Sequence, residues 1–282
     1  MKTILLPFQD DDITESALQT AHAIANRYGS HIEGLFVMPQ PQIIARHGFA
    51  LPGVYLTQMA EDGRKLADAA HERFARYLNE HDLALRDIQA PSETASASWR
   101  EMEGLESQII GDHGRLFDLV VIGRTAKYDA GDWNIICEAA LFECGRPVLV
   151  VPEQAPETIG ENIVIYWNCS TENARTISLG MRFLENAKAV TVVSALGALV
   201  PGPSGEELAD HLKRHGIAAT ADSVETKGGA PAGAAVLAYA KESGADLFFK
   251  GAYTHTRLRQ MIFGGATREI LTNADLPVLL AH

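Results

Sequence analysis

The sequence is poor in cysteine, and the few cysteines are not arranged as a metal or redox motif. There are three in 282 residues, Cys137, Cys144 and Cys169, and no Cys-x-x-Cys pair occurs. This spacing supports neither a zinc site nor a dithiol redox centre. Cys137 and Cys144 lie seven residues apart, on one face if the segment is helical, and we interpret them as two small buried side chains rather than a redox pair.

Positive charge and long apolar runs are also scarce. Lysine and arginine together number 24 against 36 acidic residues, which gives a net charge of −12. Such a balance argues against a general nucleic-acid binder and against binding to an anionic membrane surface. No stretch approaches the roughly 18–20 apolar residues of a membrane span. The N-terminus lacks the apolar core, about 7–15 residues long, of a signal peptide. We therefore expect a cytoplasmic protein without membrane insertion.

What the sequence does contain is one alternation of apolar strands and helical segments, present twice. The clearest copies are residues 118–123 with 147–151, and residues 246–251 with 277–280. In each copy an apolar run ends in glycine, and a second apolar run begins at proline after one helical segment. Strands that alternate with helices are typical of parallel α/β sheets with right-handed crossovers.

The repeat divides the chain near its middle. Residues 152–160 have the proline- and glycine-containing composition of a linker, and the pattern restarts after them. We predict two tandem doubly wound α/β domains, residues 1–152 and 161–282, with helices on both faces of each parallel sheet. A long loop at about residues 39–56, rich in proline and glycine, is predicted to be a lid, an interface or a disordered segment.

The last part of the chain has the layout of an anion site. An apolar strand ends at Gly251, and a polar, basic loop follows that contains His255 and Arg257. Residues 264–267, Gly-Gly-Ala-Thr, then open a helix. Glycines allow the backbone to approach a ligand closely, and the free N–H groups and dipole of a helix N-terminus favour an anion.

This segment resembles the nucleotide-binding end of the universal stress protein family. ATP-binding members carry Gly, two residues, Gly, nine residues, Gly, and then Ser or Thr. Gly251 and Gly264 match the first and third glycines. Thr254 stands at the second glycine, and Gly265 stands at the Ser/Thr position, with Thr267 two residues later. The resemblance extends over both halves, so the sequence is identified as that of a tandem member.

The resemblance implies a fold and a ligand. Each domain would be a five-stranded parallel sheet of order 3-2-1-4-5, and the two last strands would meet across a pseudo-twofold axis as an internal pseudo-dimer. The second domain would bind an adenine nucleotide, ATP with Mg²⁺. Its cofactor-binding residues would be Asn168 and Ser170 at the base or ribose, Gly251, Gly264, Gly265, Ala266 and Thr267 at the phosphates, and His255 and Arg257 as added charge.

The first copy departs from this pattern. It is two residues shorter between its glycine and proline, it lacks the glycine pair, and it has Glu138 near the predicted helix start. A carboxylate there would repel phosphate, so we expect no nucleotide in the first domain. Gln9 takes the place that Asn168 has in the second copy.

Several residues have a second interpretation. Asn168 and Ser170 are equally explained as caps of the next helix. Asp10–Asp12 suit a helix N-terminus better than a Mg²⁺ site. His211 and His215 have a metal-compatible spacing but no third ligand, which favours an exposed helix face.

Three functional hypotheses follow. The first is a non-catalytic, nucleotide-responsive stress protein that acts through an unidentified protein partner, with a homodimer left open. The second is a nucleotide-free interaction scaffold that uses the 39–56 loop. The third is a slow ATP hydrolase, for which His255 is the sole candidate base, since no nucleophile–base motif occurs.

Overall fold

The computed structural model describes residues 1–39, 53–87, 93–124, 131–226, 231–252 and 265–282. The strands of the first half are β1 Thr3–Pro7, β2 His31–Pro39, β3 Ser96–Gly104, β4 Leu119–Gly123 and β5 Val148–Val151. Its helices are α1 Asp12–Tyr28, α2 Gly53–Glu80, α3 Glu106–His113 and α4 Gly131–Glu143.

The second half repeats this succession. Its strands are β6 Asn162–Tyr166, β7 Ala189–Ala195, β8 Ala219–Val224, β9 Leu247–Gly251 and β10 Val278–Ala281. Its helices are α5 Thr171–Leu179, α6 Met181–Leu184, α7 Gly205–Arg214, α8 Ala232–Glu242 and α9 Gly265–Asn273.

All ten strands form one sheet of order β3-β2-β1-β4-β5-β10-β9-β6-β7-β8. Each half has the predicted order 3-2-1-4-5, and its strands are parallel. The halves meet where β5 pairs antiparallel with β10, with Leu149 opposite Leu279. The predicted fold, including the meeting of the two last strands, is therefore confirmed.

Helices cover both faces of the sheet. Successive side chains of each strand point to opposite faces, and both sets are buried. One face packs against α1, α2, α5 and α7 through side chains such as Leu18, Phe74 and Ile177. The other packs against α3, α4, α8 and α9 through side chains such as Ile110 and Val236. Cys137 and Cys144 are buried on this second face, which agrees with their interpretation as core residues.

Two element boundaries differ from the pattern-based prediction. The sequence pattern predicts one helix over 171–186, but in the structure this helix is interrupted at Gly180, where it crosses the sheet. A Cβ on Gly180 would lie 2.4 Å from the Phe249 ring and 2.7 Å from Leu279, so only glycine allows this approach. The sequence pattern also predicts a strand over 94–99, whereas β3 extends to Gly104 because it pairs with β2 along its whole length.

The segment 152–160 connects β5 to β6 and is anchored to the first half. Ile159 is buried, and its carbonyl oxygen accepts a hydrogen bond from the Arg27 guanidinium at 2.6 Å. The domain bounds 1–152 and 161–282 stay a prediction. Among the described residues, no helix has the length and hydropathy needed to cross a membrane.

Candidate functional site

The carboxyl ends of β6 and β9 lie side by side where the strand order of the second half reverses. From β6 the chain continues to β7 on one side, and after β8 it returns to β9 on the other side. Open α/β sheets bind ligands in the crevice at such a switch point. Asn168 follows β6 and Gly251 ends β9, so two predicted site residues lie at this edge.

The turn after β6 fixes the positions of Asn168 and Ser170. The side-chain oxygen of Asn168 accepts hydrogen bonds from the Ser170 N–H at 3.2 Å and from the side-chain amide of Asn173 at 2.5 Å. The Ser170 hydroxyl caps α5 by accepting from the Asn173 N–H at 3.3 Å. Ser170 thus has the capping role inferred from sequence, while the half-buried Asn168 borders the crevice.

Cys169 lies between these two residues in a backbone conformation that favours glycine. Its φ is 68°, in the left-handed region. Asn168-Cys169-Ser170 therefore has a side chain at a position of the turn where glycine is favoured. A non-glycine residue in this region costs about 1–2 kcal/mol.

Replacing Cys169 by glycine is therefore expected to raise the free energy of unfolding by about 1 kcal/mol. Urea denaturation of the two proteins measures this difference. Cys169→Ala is the matched control, because alanine removes the thiol but keeps the Cβ that causes the strain. Equal stability of the glycine and alanine variants would show that the turn is not strained.

Asn173 connects the turn to the end of β9. Its side-chain oxygen accepts the Gly251 N–H, and its own amide group donates to Asn168. A Cβ on Gly251 would lie 2.4 Å from the Asn173 nitrogen and 2.6 Å from the carbonyl carbon of Glu172. Gly251 is thus needed for contact between β9 and α5. Its N–H could reach a phosphate only if Asn173 moved.

Lys250 is buried beside this contact, on the opposite face of β9. Its side chain donates to the Gly251 carbonyl oxygen at 2.7 Å and to the Thr267 hydroxyl at 2.9 Å. The ammonium also lies 5.9 Å from the centre of the Tyr166 ring. Burial lowers the pKa of Lys250 to about 8, although the charge of Glu172 acts in the opposite direction.

Among the described residues, Glu172 is the acidic group near this cluster, and it lies in the first turn of α5. Burial by itself would raise the pKa of this carboxyl. Hydrogen bonds from its own backbone N–H and from Thr171 and Ser170 outweigh burial, so its pKa is lowered on balance. Glu172 therefore carries its charge at neutral pH and acts on Lys250 through space.

The predicted phosphate-binding stretch is described in part. The described members are Gly251, Gly265, Ala266 and Thr267. The members outside the described residues are Thr254, His255, Arg257 and Gly264. Helix α9 begins at Gly265, within the stretch expected to open it, so Thr267 lies in its first turn. Thr267 is buried and contacts Lys250.

The equivalent positions in the first half have different chemistry. In the sequence repeat, Ile122 precedes Gly123 as Lys250 precedes Gly251, and Cys137 lies as far before Pro147 as Thr267 lies before Pro277. The expectation that Glu138 stands near a helix start is wrong, because α4 begins earlier, at Gly131. Glu138 lies roughly two turns into that helix.

The first half has its own cleft at the corresponding sheet edge, and carboxylates line it. The cleft has a volume of about 1250 Å³ and is lined in part by Asp10, Asp11, Glu103 and Glu106. Asp10 forms an ion pair with Arg73 at 2.7 Å, and Asp11 caps α1, as the aspartate run predicted. The surplus of carboxylates disfavours a phosphate group here.

The histidine pair singled out in the sequence lies at the C-terminal end of α7, away from this edge. The rings of His211 and His215 have centroids 4.9 Å apart. Across the described ranges, no group of three His, Cys, Asp or Glu side chains is placed to hold a metal ion.

Two residues of the site were missed by sequence reasoning. Lys250 had a visible signal, since it interrupts the apolar run before Gly251 at a position where the other copy has Ile122. Asn173 had none, because its role arises from the contact between α5 and β9, which local patterns do not encode.

Comparison with known proteins gives matches at the level of sequence and of fold. The model of the Universal stress protein family matches residues 185–282. A universal stress protein of Synechocystis sp. is 23% identical over 295 residues, which cover 99% of both chains.

Two solved structures have the same fold over the whole chain. A universal stress protein from Archaeoglobus fulgidus superimposes with a TM-score of 0.67 at 14% identity, covering 99% of this chain and 95% of that one. A protein of unknown function from Pseudomonas aeruginosa has a TM-score of 0.57 at 17% identity, covering 100% and 92%. Residues 185–282 therefore match the universal stress protein family, and the Archaeoglobus and Pseudomonas structures show the same fold over both halves of the chain.

Proposed function

We propose that this protein binds an adenine nucleotide in its second half and acts in a stress response by non-catalytic regulation. The observation that carries the proposal is the polar sheet edge at the switch point, where Asn168, Asn173 and Thr267 surround the ends of β6 and β9. Open α/β sheets bind ligands at such edges. The first turn of α9, beside this edge, has the free N–H groups that bind anions.

In this proposal the ligand is ATP, with Mg²⁺ bound through its phosphates. The phosphates lie at Gly265, Ala266 and Thr267, and the base or ribose lies at Asn168 and Ser170. From outside the described residues, Gly264 completes the phosphate site, and His255 and Arg257 add charge. The Gly251 N–H stays bonded to Asn173, so Gly251 shapes the site through its lack of a side chain.

The regulatory output is a change in affinity for a protein partner. Nucleotide binding can alter that affinity only if the nucleotide binds two states of the protein with different strength. The first half takes no nucleotide in this proposal, because carboxylates line its cleft. A cytoplasmic location is part of the same proposal.

A single helix position tests where the nucleotide binds. Gly265→Glu places a carboxylate at the first residue of α9, and Gly131→Glu does the same at the first residue of α4. Acidic residues at a helix N-terminus favour the helix, so both variants are expected to fold. Calorimetric titration of nucleotide-free protein with Mg-ATP should give one site per chain. Gly265→Glu should weaken it at least tenfold, about 1.4 kcal/mol, by charge repulsion, and Gly131→Glu should leave it unchanged.

Loss of binding in the Gly131→Glu variant would move the site to the first half. If the unmodified, folded protein binds no nucleotide at millimolar ATP, the proposal is wrong and the nucleotide-free scaffold is the better description. A slow hydrolase is distinguished by phosphate release that disappears in His255→Ala.

A further inference from the structure

Lys250 is a buried cation without a described counter-ion. Its exposed fraction is 5%, and lysine is almost never buried to this extent unless it is paired. Its two hydrogen-bond acceptors, the Gly251 carbonyl and the Thr267 hydroxyl, are neutral. Among the described carboxylates, none lies within ion-pair distance of the ammonium. Within the described part of the chain, the ammonium of Lys250 therefore meets two neutral oxygens.

The fold itself does not require a lysine at this position. The first half has Ile122 at the equivalent end of β4, where it is buried in the same kind of core. A buried charge costs stability that an apolar side chain of similar size does not. The lysine is thus a specific feature of the half that has the predicted phosphate stretch.

None of the described groups that surround Lys250 neutralises its charge by direct contact. Tyr166 on β6 presents its ring, Leu280 on β10 is apolar, and Thr267 on α9 offers a neutral hydroxyl. Glu172 on α5 is the described acidic group that influences it, and it acts only through space. The start of α9 adds the partial positive charge of a helix N-terminus to the same corner.

We propose that Lys250 is the buried counter-charge for an anionic phosphoryl group bound at the start of α9, with Thr267 linking the ammonium to that group. This inference rests on the proposed function. It means that the site recognises its ligand chiefly by the phosphate groups rather than by the base. The first half has Ile122 and Cys137 in place of this pair, so this counter-charge would be specific to the second half.

The ionisation of Lys250 supports the geometry and supplies a second readout. Its pKa is lowered to about 8 by burial, so in the free protein the amine is largely charged at pH 6.5 and partly neutral at pH 8.5. A bound anion stabilises the charged form and raises this pKa. Binding should therefore take up a proton at pH 8.5 and almost none at pH 6.5, and affinity should fall as pH rises through about 8.

The experiment compares three probes on three proteins. The probes are ATP, inorganic tripolyphosphate and adenosine, which separate the phosphate end from the base end. The proteins are the unmodified chain, Lys250→Met and the control Lys241→Met. Lys241→Met removes the same charge from an exposed position on α8, where Lys241 pairs with Asp275. Calorimetry in two buffers of different ionisation enthalpy gives affinity and proton uptake together.

We expect Lys250→Met to bind ATP and tripolyphosphate at least tenfold more weakly, to bind adenosine within twofold of the unmodified protein, and to lose the proton uptake. Without ligand, its melting temperature should equal or exceed that of the unmodified protein, because a buried charge has been removed. Lys241→Met should bind all three probes normally.

Unchanged tripolyphosphate affinity in Lys250→Met would overturn the inference. So would an equal loss for adenosine together with a lower melting temperature, which would indicate a purely structural lysine. If the unmodified protein binds tripolyphosphate but neither ATP nor adenosine, the nucleotide proposal is wrong. In that case, loss of tripolyphosphate binding in Lys250→Met still supports the role of Lys250 as a counter-charge. Failure of the unmodified protein to bind either anion overturns both.

Discussion

The Leu279→Asp variant is expected not to fold, in either half. Leu279 is fully buried in β10 and lies opposite Leu149 of β5, at the antiparallel pair that joins the halves. The change removes a buried leucine, which costs about 2–5 kcal/mol, and adds the cost of burying an acid without a partner. A total of at least about 5 kcal/mol equals the whole free energy of unfolding of many domains.

Hydrogen exchange shows how far the effect extends. One sheet runs through both halves, and one cluster of buried side chains includes Leu149, Leu279 and Phe249. Amides of β1 and β4 should therefore lose protection together with those of β6 and β9. Leu279→Met is the matched control and should cost less than about 1.5 kcal/mol. If the first half stays protected in Leu279→Asp, the halves are independent folding units with the bounds 1–152 and 161–282.

The Gly251→Ala variant should lose about 2–3 kcal/mol of stability and weaken ligand binding as well. The added methyl group would meet the backbone of Asn173 and Glu172 at 2.4 and 2.6 Å, and backbone atoms cannot rotate away as a side chain can. Strand β9 must therefore separate from α5, which breaks the Gly251–Asn173 hydrogen bond at the edge of the proposed site.

The first half provides a matched comparison for this effect. Gly123→Ala would place its methyl 2.5 Å from the Ile13 carbonyl oxygen, so it should lose similar stability without affecting nucleotide binding. Gly63→Ala, in the interior of α2 where a Cβ meets nothing within 4 Å, should instead gain about 0.5–1 kcal/mol. Chemical denaturation measures all three. A Gly251→Ala variant as stable as the unmodified protein would contradict this account of the β9–α5 contact.

The amino-acid sequence by itself determined the fold class and the repeat, and the family resemblance implied the order of strands. Apolar runs that end in glycine or begin at proline occur twice, and parallel strands joined by helices leave few possible arrangements. The antiparallel meeting of β5 and β10 also followed, from the resemblance carried by residues 251–267 and the repeat. Capping by Asp11 and Ser170 was predictable, because it depends on residues only three positions apart.

Only the tertiary structure decided which side chains meet at the switch point. The Asn173 contact with Gly251 joins residues 78 positions apart, and the Lys250 contact with Thr267 crosses from a strand to a helix. Gly251 illustrates the difference: the sequence motif assigns it to a phosphate, whereas its missing side chain makes room for the start of α5. Periodicity reports which face of an element is buried, but the packing of one element against another decides what each buried polar group touches.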